Sequence, residues 1–296
     1  MEFERIEHSD KLIPKRAEGR LHDLFSATSS AAAKGNAARW YAEMIIDLLL
    51  GERLKAERGV AAFRRLSLGE KLEGIRADVD PAIIDSLRAI KDFGDKASHY
   101  DPDQVLSPAE ARQSVDRAID LIVQILIDEL KVRRLDRRAV RARIFSTLFP
   151  DVRVRVLSSL IDFAKPLDEY QLALIHKFCI ACVKNEQFNK ARRKLDEWLD
   201  KNRITTATHA EEMAAIKEIA HRMREGVLPI ARRMEDVARN FHEVLKDLSD
   251  SDRAENSRLI LIIETWIDKI LPSDMGDLIG DQVFPIHPEA VAPDGD

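Results

Sequence analysis

The stretch SPAEARQSVDRAIDLIVQILIDELKV, residues 107–132, sets the strongest limit on what this chain can fold into. Ser107 suits an N-cap, because its hydroxyl can accept from backbone N–H groups that the first helical turn leaves open. Pro108 suits the first helical position, where its missing N–H costs nothing. Glu110 stands three residues after the cap, as in a capping box. The apolar run that follows is interrupted by Asp120 and Asp128, so it reads as a long core helix and not as a membrane span. Such a helix must be covered by others.

The rest of the chain offers helices and nothing else. Gly and Pro number only 11 each in 296 residues, so breakers are scarce. No segment alternates apolar and polar residues as a half-buried strand would. The predicted fold class is therefore all-α. Trp40, Tyr41, Met44, Ile45, Leu48 and Leu49 recur at steps of three and four and predict one apolar stripe. Leu68, Leu72 and Ile75 predict a short inward-facing helix. Asp80-Pro81 opens the next helix, with Ile83, Ile84, Leu87 and Ile90 on its buried face. Gly94 reads as its stop signal. Further on, two helices are expected to fold back near Asn185, one to end at about Glu225, and another to follow Pro229. SRLILIIETWIDKIL should be the last. The organisation predicted is a lead-in over 1–27, a helical bundle over 28–132, a C-terminal helical domain over 133–270, and an extended tail over 271–296.

Composition narrows the setting. Charged residues are 33% and hydrophobic residues 45%, a globular balance. The net charge of −5 gives no global nucleic-acid signal. Cys179 and Cys182 are the only cysteines, which fits a reducing cytoplasm and excludes a disulfide framework. The charged start MEFERIEHSDKLIPKR lacks the apolar core of a signal peptide. A cytoplasmic protein with no membrane partner is the expectation.

The most specific motif is LRAIKDFGDKASHYDP, residues 87–102. Lys91, Gly94, Asp95, Ala97, Ser98 and His99 fall there in close order. An amphipathic helix and LGEKLEGI precede it, and the long apolar helix follows. This order resembles the HEPN superfamily of helical bundles, in particular a bacterial branch with a motif near Arg-x-x-Gly-Asn-x-x-Ala-His. The resemblance covers residues 28–132. It implies an HEPN-like bundle, RNA association, metal-independent RNA cleavage in some members, protein contact in others, a site shared across a homodimer, and a role in prokaryotic defence. Where active members place their Arg, this chain has Asp92, Phe93 and Gly94, and Asp95 stands at the Asn position.

RNA cleavage without metal needs a base, an acid and a cation for the phosphorane charge. His99 is the candidate for proton transfer. Lys91 or Arg88 is the candidate cation, with Asp95 beside them. No cofactor is expected. A structural corner that binds without chemistry is the competing reading of the same residues.

A second candidate is the basic stretch KVRRLDRRAVRAR. On a continuous helix Arg134, Arg137, Arg138 and Arg141 would share a face and could grip phosphates. No aromatic residue is interleaved, so contacts would be to the backbone. A solvated or salt-bridged face is the plain alternative. His176, Cys179 and Cys182 recur at steps of three, but two thiols are too few for a structural zinc site and read as core residues. Phosphate-loop, dinucleotide and hydrolase motifs are missing. The sequence thus leaves two readings: an RNA-associated protein with chemistry at His99, or a non-catalytic dimerisation or protein-interaction module.

Overall fold

In a computed structural model of the protein, residues 13–99, 105–135, 139–162, 167–228 and 230–267 are described. The described residues form helices and no strand, so the protein is all-α. None of these helices is long and apolar enough to cross a membrane. The expected tail from Leu271 lies outside the described residues.

The chain divides into two compact units. The first takes residues 1–134 and Asn256–Asp268. After a 3-10 turn at Lys15–Arg20 come α1 (Leu21–Phe25) and α2 (Ala31–Ile45), which Ser30 caps by accepting from the Ala33 N–H. A π-turn, Ile46–Leu50, leads into α3 (Glu52–Arg58), α4 (Val60–Arg65) and α5 (Leu68–Ile75). Helix α5 opens with a complete capping box: Glu70 N–H donates to Ser67 Oγ, and Ser67 N–H donates to Glu70 Oε2. Helices α6 (Pro81–Ser98) and α7 (Pro108–Val132) follow, capped by Asp80 and Ser107 as expected. Helices α2, α6 and α7 pack against one another as the centre of this unit.

The expected core positions Leu68, Leu72, Ile75, Ile83, Ile84, Leu87 and Ile90 are all buried. On α2 the stripe is rotated: Ala38, Tyr41, Ala42 and Ile45 are buried, whereas Trp40 and Met44 are half-buried. Trp40 instead receives the Arg20 guanidinium 5.5 Å from its ring centroid. The Tyr41 hydroxyl is buried with no hydrogen-bond partner among the described residues, and burial pushes its pKa up. The segment 13–27, expected as a lead-in, adds Ile13, Ala17 and Leu24 to the core.

The second unit takes the described residues of Leu135–Glu255. Its helices are α8 (Val140–Ser146), α9 (Pro150–Leu160), α10 (Glu169–Lys184), α11 (Phe188–Asp200), α12 (Thr206–Arg224), α13 (Met234–Lys246) and α14 (Asp250–Glu255). Helix α10 packs against α9, α11 and α12. Cys179 and Cys182 lie fully buried on α10, as read from their spacing, and burial raises both thiol pKa values, that of Cys182 to about 11. His176 does not join them. Its Nδ1 bonds the Glu212 carboxylate on α12, 3.1 Å from Oε2. The turn near Asn185 is where the sequence put it, with Glu186 in the left-handed region at φ 59°.

The last helix, α15 (Ser257–Ile267), belongs to the first unit and not to a continuous 133–270 domain. Leu259, Ile262, Ile263, Trp266 and Ile267 are buried, and α15 packs on α7 and on both the 3-10 and π-turns. Its apolar content satisfies a face that the earlier helices leave open.

Candidate functional site

Helix α6 does not stop at Gly94. It runs on to Ser98, so the glycine is interior and answers to packing, not to a helix end. A Cβ at position 94 would stand 2.6 Å from Arg39 Cβ on α2. One turn away along α2, a Cβ on Gly35 would stand 2.7 Å from Ala97 Cβ and 2.8 Å from Phe93 Cε1. Small residues on both helices thus let α2 and α6 cross closely. This is the physical reason for glycines in helix interiors, where each costs about 1 kcal/mol against alanine.

The close crossing assembles a polar clasp. Asp95 accepts from Arg39 Nη1 through Oδ1 at 2.6 Å and from Lys91 Nζ through Oδ2 at 2.6 Å. Arg39 Nε also lies 3.6 Å from Glu43, and Lys91 Nζ lies 3.7 Å from Asp92. One turn further on, Ser98 Oγ is 2.6 Å from Asn36 Oδ1 and 2.7 Å from the Gly94 carbonyl, sharing its single hydrogen between them. Lys91, Gly94, Asp95 and Ser98 share one face because they follow helical spacing.

His99 caps α6 with extended backbone (φ −102°, ψ 133°), and its N–H donates to the Asp95 carbonyl at 3.2 Å. The residue is exposed. It is not walled into the bundle, and the clasp one turn below is made by Arg39, Lys91 and Asp95 without it. Arg88 stands apart, facing Glu73 at 3.8 Å. The structure therefore joins Lys91 and Asp95, places His99 at the open end of the same helix, and leaves Arg88 outside.

The residue missed from sequence is Arg39. It delivers a guanidinium to the motif from α2. Its signal was KGNAAR, a glycine and asparagine inside a helix one turn before an arginine.

The arginine stripe is corrected. Helix α7 ends at Val132 and α8 begins at Val140, so Arg134 and Arg141 do not share one helix. Arg137 and Arg138 lie outside the described residues. Arg141 is buried, with Nη2 3.4 Å from the Glu255 carbonyl, while Arg134 is exposed. Arg143 pairs with Asp247 at 2.9 Å. The helical wheel misplaced Arg134 relative to Arg141 because it assumed one uninterrupted helix through 131–143.

A second concave feature lies within the first unit. It is a half-open cleft of about 250 Å³ whose walls include Leu49, Val79, Ile125, Glu52, Asp128 and Arg258. Among the described residues no group of three or more His, Cys, Asp or Glu side chains is arranged to hold a metal ion.

These features define an all-α protein with a charged helix crossing and one polar cleft in its first unit. No protein-family model, curated protein or solved structure matches the chain.

Proposed function

We propose that the chain is an RNA-associated, HEPN-like protein whose motif corner is a structural helix crossing that does not itself cleave RNA. The observation that carries this reading is the double engagement of Asp95. One carboxylate takes both Arg39 and Lys91 at 2.6 Å, so these two cations are already neutralised, and Lys96, the cation closest to His99 along the helix, faces Glu110 at 3.7 Å. A phosphorane needs an uncommitted cation aimed at it, and a carboxylate between two cations opposes an incoming phosphate. In this reading the corner is a rigid helix crossing, and the protein acts by contact with RNA, with a partner or with a second copy of itself.

One observation favours a second reading. His99 is exposed at the end of α6, where an imidazole can exchange protons with a bound substrate. Metal-independent cleavage centred on His99 would need Asp95 to release Arg39 or Lys91 when RNA binds.

A fluorescently labelled single-stranded RNA incubated with the protein in EDTA separates the two. The binding reading expects salt-sensitive association, intact RNA, and no change on His99→Ala. Cleavage that His99→Ala abolishes would replace it with the second reading. No association at any salt concentration would sink the RNA assignment altogether.

A further inference from the structure

The cleft of the first unit holds two opposite charges that face the same space and do not touch. Arg258 enters from α15, the helix that returns to this unit, and its side chain is half-buried. Burial lowers its pKa, and Glu129, Glu52 and Asp128 oppose that shift through coulombic attraction. Asp128 enters from α7. Burial raises its pKa first, Asp80 adds to the rise, and Lys131 and Arg258 counter it in part. Removing a guanidinium and a carboxylate from water without direct pairing is costly, and such groups are otherwise found bonded.

Arg53, Asp78 and Glu129 are engaged elsewhere, while Glu52 adds a further carboxylate to the lining. Arg53 donates to Asp78 at 2.6 Å and to the Gly74 carbonyl at 2.8 Å, closing one rim. Glu129 lies 3.8 Å from Arg133. Leu49, Val79 and Ile125 supply the apolar wall. Small-molecule sites join an apolar wall to a few placed polar groups, and this cleft has both, with charged residues the larger share of its lining. At about 250 Å³ this one lies just below the span of drug-sized pockets.

We infer that this cleft binds a small zwitterion of the apolar α-amino-acid class, its carboxylate on Arg258, its ammonium on Asp128, and its side chain on the apolar wall. A simple anion would meet Glu52 and Asp128. A simple cation would meet Arg258. A ligand carrying both charges on one carbon satisfies both walls and leaves the net charge of the cleft unchanged. The inference does not depend on the RNA reading, since it uses neither the α6 corner nor His99.

The test is isothermal titration of the full chain with L-leucine, L-isoleucine and L-methionine, each to about 10 mM, followed by the amide and the N-acetyl form of whichever binds. The free amino acid should bind, and each blocked form should lose roughly tenfold or more in affinity. Arg258→Gln and Asp128→Asn should each give a similar loss. Arg258→Lys, which keeps the charge, should restore part of it, and far-UV circular dichroism confirms that each variant is folded. No binding of any of the three amino acids overturns the inference. So does an amide that binds as tightly as the free amino acid, which would make this a cation site, or binding that survives Arg258→Gln.

Discussion

Replacing Gly94 by alanine tests whether the motif glycine exists for helix contact. On an open helical surface the change stabilises, by about 1 kcal/mol, because alanine restricts the unfolded chain and prefers the helix. At position 94 the new methyl would stand 2.6 Å from Arg39 Cβ, 3.0 Å from its Cδ and 3.2 Å from its Cγ. Carbon atoms attract best at about 3.5–4.0 Å, so α2 and α6 must move apart by roughly 1 Å. The nearest of these atoms is a Cβ fixed to the α2 backbone, which cannot swing away as a side-chain tip could. Overpacking of this kind costs about 1–3 kcal/mol, and widening the crossing also weakens the Arg39–Asp95 contact, itself worth up to about 1 kcal/mol at its exposure. Set against the propensity gain, the expected net loss is about 1–2 kcal/mol. Gly69→Ala is the control. Its methyl would meet the flexible Lys91 Cε at 3.4 Å and Ser67 Oγ at 3.9 Å, both ordinary contacts, so that variant should be neutral or more stable by up to about 1 kcal/mol. Urea unfolding gives the totals, and native-state hydrogen exchange of α6 amides isolates the first unit. If Gly94→Ala proves as stable as the parent, or more so, the close-crossing explanation is wrong.

Three further outcomes are expected. Asp95→Asn frees Arg39 and Lys91 from their shared carboxylate, so it should lose about 1 kcal/mol of stability and elute later from a heparin column; earlier elution would contradict the clasp. Tyr41→Phe removes a buried hydroxyl that has no partner, and should leave urea stability unchanged or raise it by about 1 kcal/mol, whereas a clear loss would reveal a hydrogen bond. The thiols of Cys179 and Cys182 should resist an aromatic disulfide reagent until the chain unfolds. The folded thiol of Cys182 titrates near 11 and an unfolded one near 9, so above pH 9 the unfolded state binds fewer protons and stability falls as pH rises toward 11. Cys182→Ala should flatten that decline in urea midpoints measured across this window.

What the sequence made legible was local. The helix starts at Asp80 and Ser107 depend on atoms two or three residues away, so the residues alone announce them, and the Ser67 capping box, equally local, was passed over. The buried faces of α5 and α6 follow helical spacing for the same reason. Gly94 was misread as a stop because its reason for being glycine is Arg39, on another helix. The arginine stripe failed through a break between Val132 and Val140 that no proline or glycine marks. Arg258 gave no warning of its place in the cleft, since its neighbours Asp128 and Glu52 come from distant parts of the chain. Of the motif corner, Lys91 and Asp95 could be read together as an i, i+4 pair, while the guanidinium that completes the clasp could not.

The return of α15 to the first unit also orders events on the ribosome. All of Leu135–Glu255 is translated before Ser257–Ile267. At typical elongation speeds the opening helices must wait on the order of ten seconds for their final partner. During that interval the surface later covered by Trp266 and Ile262 is bare, a target for chaperones and for neighbouring nascent chains on the same message.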